Sequence, residues 1–393
     1  MGTQNYRYVI VGAGLAGVSA AAAIRERDHD GTILLMGAEK HPPYDRPPLS
    51  KGLWTGAKNM AMISLHAPAF YDQDGITLAL GRRAIGIDAR HKTVLDSHGR
   101  RVRYEKLLLA PGGAPRRLPI PGEDLEGVCY FRTLDDYIHL REQAVQGRGA
   151  VVIGGGFIGS ELAAALALSK VDVTMVFPSP YLCSRVFPEG LGRAVQRTYV
   201  ERGVNVLAGD EPVGIARVRG RLRVRTRAGH EIDSDMVVVG AGIAPQTALA
   251  REAGLIRRDG VAVDECLRSS RKDIYAAGDL AAFPCLALGR RLRFEHWDNA
   301  RAQGQCAGRN MAGRSEPYTH LPYFFSDLFD FGYEAVGDVD PRLETRCEWT
   351  EENRTGTVYY LKDGRVRGAL MCNVWGKVDA ARELILKGEP VRT

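Results

Sequence analysis

Apolar positions along this chain come in short unbroken runs, each closed by glycines and followed by an alanine-rich stretch. Residues 8–11 and 151–153 are such runs, and the alanine-rich stretches at 18–24 and 161–168 come after them. A further apolar run then follows each stretch, at 32–36 and 171–177. Runs without polar alternation fit strands covered on both faces, as in a parallel sheet, and the stretches between them suit crossover helices. The pattern predicts two βαβ units. Toward the end of the chain the runs at 357–361 and 366–371 flank Lys362-Asp363-Gly364-Arg365, a hairpin signal, because Asp-Gly tolerates the positive φ angles of a two-residue turn. A short final helix is expected after them.

The glycines that close the two early runs share one spacing: Gly12-Ala13-Gly14-Leu15-Ala16-Gly17 and Gly154-Gly155-Gly156-Phe157-Ile158-Gly159. In a βαβ unit the first glycine of this pattern makes a tight turn and the second lets backbone approach a pyrophosphate. The third lets helix and strand pack closely. The pyrophosphate then meets the unpaired N–H groups at the helix N-terminus. One copy can be no more than a glycine-rich turn, but two copies in full βαβ context point to two bound dinucleotides. Candidate contacts are Gly12, Gly14, Leu15, Ala16 and Gly17 in the first unit, and Gly154, Gly156, Phe157, Ile158 and Gly159 in the second. The ribose-binding acid expected about 20 residues further on is Glu39 in the first unit. The matching stretch of the second, Phe177-Pro178-Ser179, has no acid, and Arg185 follows it. An arginine could accept a 2′-phosphate, so NADH and NADPH both stay open.

With 393 residues the chain exceeds what one core serves, and two to three domains of ~150 residues are expected. Hydrophobic residues at 45% and charged residues at 25%, without low-complexity runs, fit an ordered globular chain. No apolar run reaches the ~18 residues of a membrane-spanning helix, and the opening stretch lacks a secretory pattern. A cytoplasmic protein with no membrane partner is expected. The seven cysteines stand singly, without CxxC or metal-ligand spacing, so no metal site is expected and most should be buried thiols. A formal charge of +6 permits an acidic partner. From Arg217 to Arg227 arginine alternates with small or apolar residues, which reads as a solvated hairpin or as a docking surface for an acidic protein. Nucleic acid is not expected, because no aromatics interleave with the arginines.

A further segment, Asp273-Ile274-Tyr275-Ala276-Ala277-Gly278-Asp279, is a short strand-like run ending in Gly-Asp. It resembles the second flavin motif of the FAD-dependent pyridine nucleotide-disulfide oxidoreductase superfamily. The resemblance implies FAD at the first glycine turn and NAD(P)H as co-substrate at the second, with Gly278 and Asp279 at the ribityl chain. It also implies the fold: α/β, with two Rossmann-like dinucleotide-binding domains of the three-layer ββα type and a C-terminal α+β interface domain. Turn-rich stretches at 110–122 and 240–245 suit the crossings. They give an FAD domain at 1–112 and 245–314, an NAD(P) domain at 113–244 and an interface domain at 315–393. Ala110 and Gly112 match the family's ATG-like flavin motif, with Pro111 where threonine is usual.

Superfamily members with a redox disulfide carry CxxxxC after the first βαβ unit, whereas this region has no cysteine and reads Pro43-Tyr44-Asp45-Arg46-Pro47-Pro48-Leu49-Ser50-Lys51. That string resembles a signature of the oxygenase-coupled ferredoxin reductases and of the apoptosis-inducing-factor group. So do GGGFIGSELA at 154–163, Glu295-His296-Trp297-Asp298-Asn299-Ala300, and Phe324-Phe325-Ser326-Asp327-Leu328 followed by Gly332-Tyr333-Glu334-Ala335-Val336-Gly337. Parts of the last region also resemble monodehydroascorbate reductases. The resemblance implies that Lys51 and Glu161 pair near flavin N5 and that Arg46, His296, Trp297 and Phe325 belong to the cofactor site, Phe325 departing from the family's tryptophan. Taken alone, Lys51 reads as a solvated lysine at a helix start, Glu161 as a first-turn glutamate favoured by the helix dipole, and His296 as a capping or packed residue. The implied activity is hydride transfer from NAD(P)H to FAD and then electron delivery to a small acidic [2Fe-2S] ferredoxin. Alternatives are a quinone, oxygen or a small radical as acceptor, or a slow redox-sensing flavoprotein. Monomer and homodimer both stay open.

Overall fold

The computed structural model describes residues 3–257 and 260–388. Its contacts divide the chain into two units. The first comprises the chain up to Asp45, Ala61–Ala114 and Ala244–Pro322; the second comprises Arg46–Met60, Pro115–Ile243 and the chain from Tyr323 on. Among the described residues no helix is long and apolar enough to cross a membrane.

The first unit is built on a parallel core with Gln4–Val11 inside it. Ile33–Met36 and then Ile76–Ala79 lie on one side, and Arg101–Leu109, joined by Ile274–Ala276, lies on the other. Val9, Ile10, Ile33, Leu35 and Leu107 are wholly buried, as unbroken apolar runs require. The strand expected at 8–11 starts earlier, at Gln4, because Gln4 to Tyr6 pair with Val102 to Tyr104 beyond the apolar run. Two helices, Leu15–Arg25 and Trp297–Met311, pack almost backbone to backbone. A Cβ at Gly304 would stand 2.3 Å from the Ala16 carbonyl oxygen, and one at Gly308 2.4 Å from that of Ala20.

The second unit holds a five-stranded parallel sheet in the order Asn205–Ala208, Asp172–Phe177, Gly149–Ile153, Met236–Val239, Val128–Tyr130. An antiparallel layer, Pro212–Val218, Arg221–Thr226 and Glu231–Ser234, packs Ile215, Leu222 and Val224 onto Val151, Ile153, Val176, Val237 and Val239. Each such side chain taken from water contributes about 1.5–3 kcal/mol. This layer carries the arginine alternation, and acids pair with part of it. Arg223 meets Asp233 at 2.6 Å and Glu231 at 2.7 Å, Arg221 meets Asp235 at 3.3 Å, and Arg227 meets Glu211 at 2.5 Å. The stripe is thus an exposed hairpin face that is paired in part, Arg217 donating to the Gly220 and Glu126 carbonyls while Arg219 and Arg225 have no acidic partner among the described residues.

From Tyr323 the chain forms an antiparallel sheet in the order Tyr323–Leu328, Phe331–Gly337, Arg365–Cys372, Thr355–Lys362, Glu344–Glu351, against which the helix Val378–Lys387 packs. Asp363 and Gly364 take φ of 54° and 69° between the paired Lys362 and Arg365, the two-residue turn that Asp-Gly favours. The segment Arg46–Met60 also clusters with this unit, although its sequence position lies within the first 112 residues. Side-chain contacts draw it there. Trp54 packs edge-on against Tyr137 at 5.6 Å between ring centroids, the Tyr137 hydroxyl donates to the Leu53 carbonyl at 3.2 Å, and Arg46 donates to the Arg132 carbonyl at 2.9 Å.

Candidate active site

The two glycine turns divide their labour in the same way. Gly12 and Gly154 take left-handed φ of 116° and 126°, and a Cβ on either would collide with the carbonyl of Ala110 or Gly240. A Cβ at Gly17 would lie 1.9 Å from the Gly12 oxygen, and one at Gly159 2.1 Å from that of Gly154. The chain itself therefore requires the outer glycines. The middle ones differ, since a Cβ on Gly14 or Gly156 would meet nothing within 4 Å. Each faces open space beside the N-terminus of the helix Leu15–Arg25 or Phe157–Leu168, and neither helix has a side-chain cap or a first-turn acid. Uncapped N–H groups with room in front of them suit a pyrophosphate.

In the first unit Gly278, at φ 71°, brings its Cα side within 3.3 Å of the Ala16 methyl, measured from an ideal Cβ, and so sets Asp279 near the first glycine turn. Asp279 is buried. The Gly278 N–H donates to Gln303 Oε1 at 2.8 Å, which leaves the buried Gln303 Nε2 without a partner. An orphaned donor beside a buried carboxylate, next to an open helix N-terminus, fits a polar ligand such as FAD. Glu39 stands at the end of Ile33–Met36 and accepts from the Tyr44 hydroxyl at 2.5 Å. Gly112, at φ 70°, accepts from the Gln246 N–H at 2.9 Å.

Trp297 opens the helix Trp297–Met311 and donates its indole N–H to Asp45 at 2.6 Å. His296 occupies the N-cap position without a side-chain cap bond, which corrects its reading as a capping group. It stacks on Phe294 at 5.4 Å between centroids. Loss of water around the ring pushes its pKa down to about 4, against a smaller upward pull from Asp298. A neutral imidazole suits this place, since the positive end of the helix dipole opposes a cation.

Within the second unit Lys51, Glu161 and Phe325 come together. Glu161 is buried in the helix Phe157–Leu168, beyond its first turn, so the dipole reading is corrected: neighbouring side chains hold it instead. Ser50 donates to its Oε2 at 2.5 Å, Ser326 donates to Oε1 at 2.5 Å, and Lys51 Nζ lies 3.2 Å from Oε1. Lys51 also donates to the Phe325 carbonyl at 3.3 Å and sits 4.3 Å from the Phe325 ring centroid. Its side chain is 13% exposed, so it is no solvated surface lysine. The result is a fixed ammonium paired with a fully hydrogen-bonded carboxylate. Phe157 leans on Phe324 at 5.2 Å, which ties the second glycine turn to the same strand.

Ser50 and Ser326 were not singled out from the sequence, although both lie inside the quoted motifs. Thiols contribute nothing here. Burial pushes Cys129, Cys183 and Cys306 up to about 12, so they stay protonated and inert. All seven cysteines are free.

Residues 6–304 match the family model described as pyridine nucleotide-disulphide oxidoreductase, and residues 307–355 match that of the apoptosis-inducing factor, mitochondrion-associated, C-terminal region. The chain is 36% identical to the ferredoxin–NAD(+) reductase component of the anthranilate 1,2-dioxygenase system of Burkholderia cepacia, over 97% of this chain and 94% of that one. It is 34% identical to the mitochondrial apoptosis-inducing factor 1 of Dictyostelium discoideum, over 98% of this chain and 79% of that one. Among solved structures, the covalent putidaredoxin reductase–putidaredoxin complex is similar with a TM-score of 0.93 at 29% identity, covering 100% of this chain and 95% of that one.

The His296 environment carries a pH dependence. The folded chain holds this ring neutral, whereas an unfolded histidine takes up a proton below about 6.5. Stability should therefore fall as pH drops from about 6.5 toward about 4, by on the order of 2 kcal/mol from this group. Urea midpoints compared across that window should show a steeper acid loss for the native chain than for His296→Gln; parallel profiles would return His296 to an ordinary imidazole.

Proposed function

The chain belongs to the pyridine nucleotide-disulphide oxidoreductase family, and from that membership we propose a ferredoxin reductase whose electrons pass to a small acidic [2Fe-2S] protein. The activity is FAD-dependent oxidation of NAD(P)H. One observation carries the acceptor: similarity to a ferredoxin–NAD(+) reductase runs over 97% of this chain and 94% of that one. The sequence also has no cysteine before Cys129, so no thiol relay of the CxxxxC kind stands after the first glycine turn. A net charge of +6 favours an acidic protein partner. Seven free cysteines suit a reducing cytoplasm.

When bound, FAD supplies the conversion of a two-electron donor into single-electron deliveries. The chain's residues supply position and charge. We assign Gly12, Gly14 and Gly17, with Glu39, Ala110, Gly112, Gly278 and Asp279, to hold the FAD. The turn from Gly154 to Gly159 holds the nicotinamide dinucleotide. Lys51 is a positive charge fixed by Glu161, which Ser50 and Ser326 keep oriented, and it favours negative charge on the reduced cofactor. A second reading, with a quinone, oxygen or a small radical as acceptor, rests on the match of residues 307–355 to the apoptosis-inducing-factor C-terminal model.

Anaerobic titration of the purified holoprotein with NADH and NADPH should bleach the flavin, and an added [2Fe-2S] ferredoxin should restore it within the turnover time. Restoration by quinone or oxygen alone would favour the second reading, and no rapid restoration by any acceptor would mark a redox sensor. Lys51→Met should slow flavin reduction about 10- to 100-fold while FAD stays bound, as loss of one preorganised charge does. Stopped-flow traces at the native rate would remove Lys51 from hydride transfer.

A further inference from the structure

The two glycine turns are repeated in sequence, and the corners beyond them are repeated in hydrogen bonds. In the first unit Gly12 N–H donates to Met36, Gly81 N–H to Glu39 and Arg82 N–H to Gly37, at 2.8 Å each. In the second, Gly154 N–H donates to Val176 at 2.9 Å, Gly209 N–H to Ser179 at 2.9 Å and Asp210 N–H to Phe177 at 3.2 Å. These pairs place Ser179 at the position Glu39 holds in the other unit. A carboxylate at this corner accepts from the ribose hydroxyls of a dinucleotide and repels a 2′-phosphate. Ser179 offers a neutral hydroxyl, which donates to the Tyr181 carbonyl at 3.2 Å.

The acids nearby do not restore the repulsion. A cavity of about 360 Å³ opens at this corner, lined by Pro178, Gly209, Asp210, Glu211, Arg227 and Ala228. Asp210 is buried and accepts from the N–H groups of Glu211 and Ala228, at 2.8 and 3.0 Å, with the His230 ring at 3.0 Å. Glu211 is neutralised by Arg227 at 2.5 Å. The turn beyond Ser179 is pinned over the second glycine turn, since the Cys183 N–H donates to the Gly155 carbonyl at 2.7 Å, and the Val186 and Phe187 N–H groups close back on Cys183 at 2.8 and 2.9 Å. Arg185 lies in that turn, exposed, and among the described residues it has no carboxylate or hydrogen-bond partner. An exposed guanidinium left unpaired in the turn that follows Ser179, beside a corner whose carboxylates are hydrogen-bonded or ion-paired, is available to a phosphate.

We propose that this corner selects NADPH over NADH, Arg185 pairing with the 2′-phosphate and Ser179 leaving it room; the inference rests on the NAD(P)H oxidoreductase reading and names its donor. The test uses the FAD-loaded enzyme with ferricyanide as acceptor, and calorimetry of NADP+ and NAD+ binding to the oxidised form. kcat/KM for NADPH should exceed that for NADH about 10-fold or more, and NADP+ should bind tighter than NAD+ by a similar factor, as one charge-assisted contact supplies. Ser179→Glu should move both ratios toward the unphosphorylated form by about 10- to 100-fold, and Arg185→Ala should lower them about 10-fold, through KM rather than kcat. A native preference for NADH, or ratios unmoved by both substitutions, would overturn the assignment. Failure of both nucleotides to reduce the flavin would instead overturn the oxidoreductase reading on which it rests.

Discussion

At two points in this chain a helix meets a strand with no side chain between them. The Cα of Gly17 lies against the carbonyl of Gly12, and that of Gly159 against the carbonyl of Gly154, so closely that a methyl group at either would sit about 2 Å from an oxygen. This contact fixes where each helix begins and how its N-terminus is aimed. It leaves Gly14 and Gly156 on the open side, with unpaired N–H groups behind them. The rest of the dinucleotide machinery follows from that aim. Asp279 and the orphaned Gln303 amide stand by the first turn, while Ser179 and Arg185 stand at the corner and turn beyond the second.

The second unit adds a different device. Burying a lysine and a glutamate costs desolvation, and their attraction repays it only where the remaining hydrogen-bonding capacity is met. Ser50 and Ser326 meet it on both carboxylate oxygens, and the Phe325 carbonyl and ring receive the ammonium. The price of holding a charge out of water makes sense where the charge acts. It also explains why Arg46–Met60 packs with the second unit: Ser50 and Lys51 are bound to Glu161 there.

The glycine turns and their strands were legible because the spacing is imposed locally, by the chain's own carbonyls. The Asp363-Gly364 hairpin was legible for the same reason. Ser50 and Ser326 were not, since a serine's partner is chosen by tertiary contact and nothing local marks it. Of the two readings of Glu161, the first-turn one fails because helix Phe157–Leu168 starts early enough to place it past the first turn, while its pairing with Lys51 is what the resemblance implied. The arginine alternation was ambiguous from one strand alone. Part of its answer lay in the next strand, where Glu231 and Asp233 both pair with Arg223.

The central claim is that the two glycine turns hold different dinucleotides, and the open middle glycines allow it to be tested without disturbing the chain. Gly14→Val and Gly156→Val add bulk only where a ligand would be, because an ideal Cβ at either position meets nothing within 4 Å. The measurement is flavin content together with reduction by NAD(P)H in the two folded variants. Gly14→Val should purify without FAD, and Gly156→Val should keep its FAD, resist NAD(P)H and still be reduced by dithionite. A Gly14→Val protein with full flavin, or a Gly156→Val protein reduced by NAD(P)H at the native rate, would contradict the account.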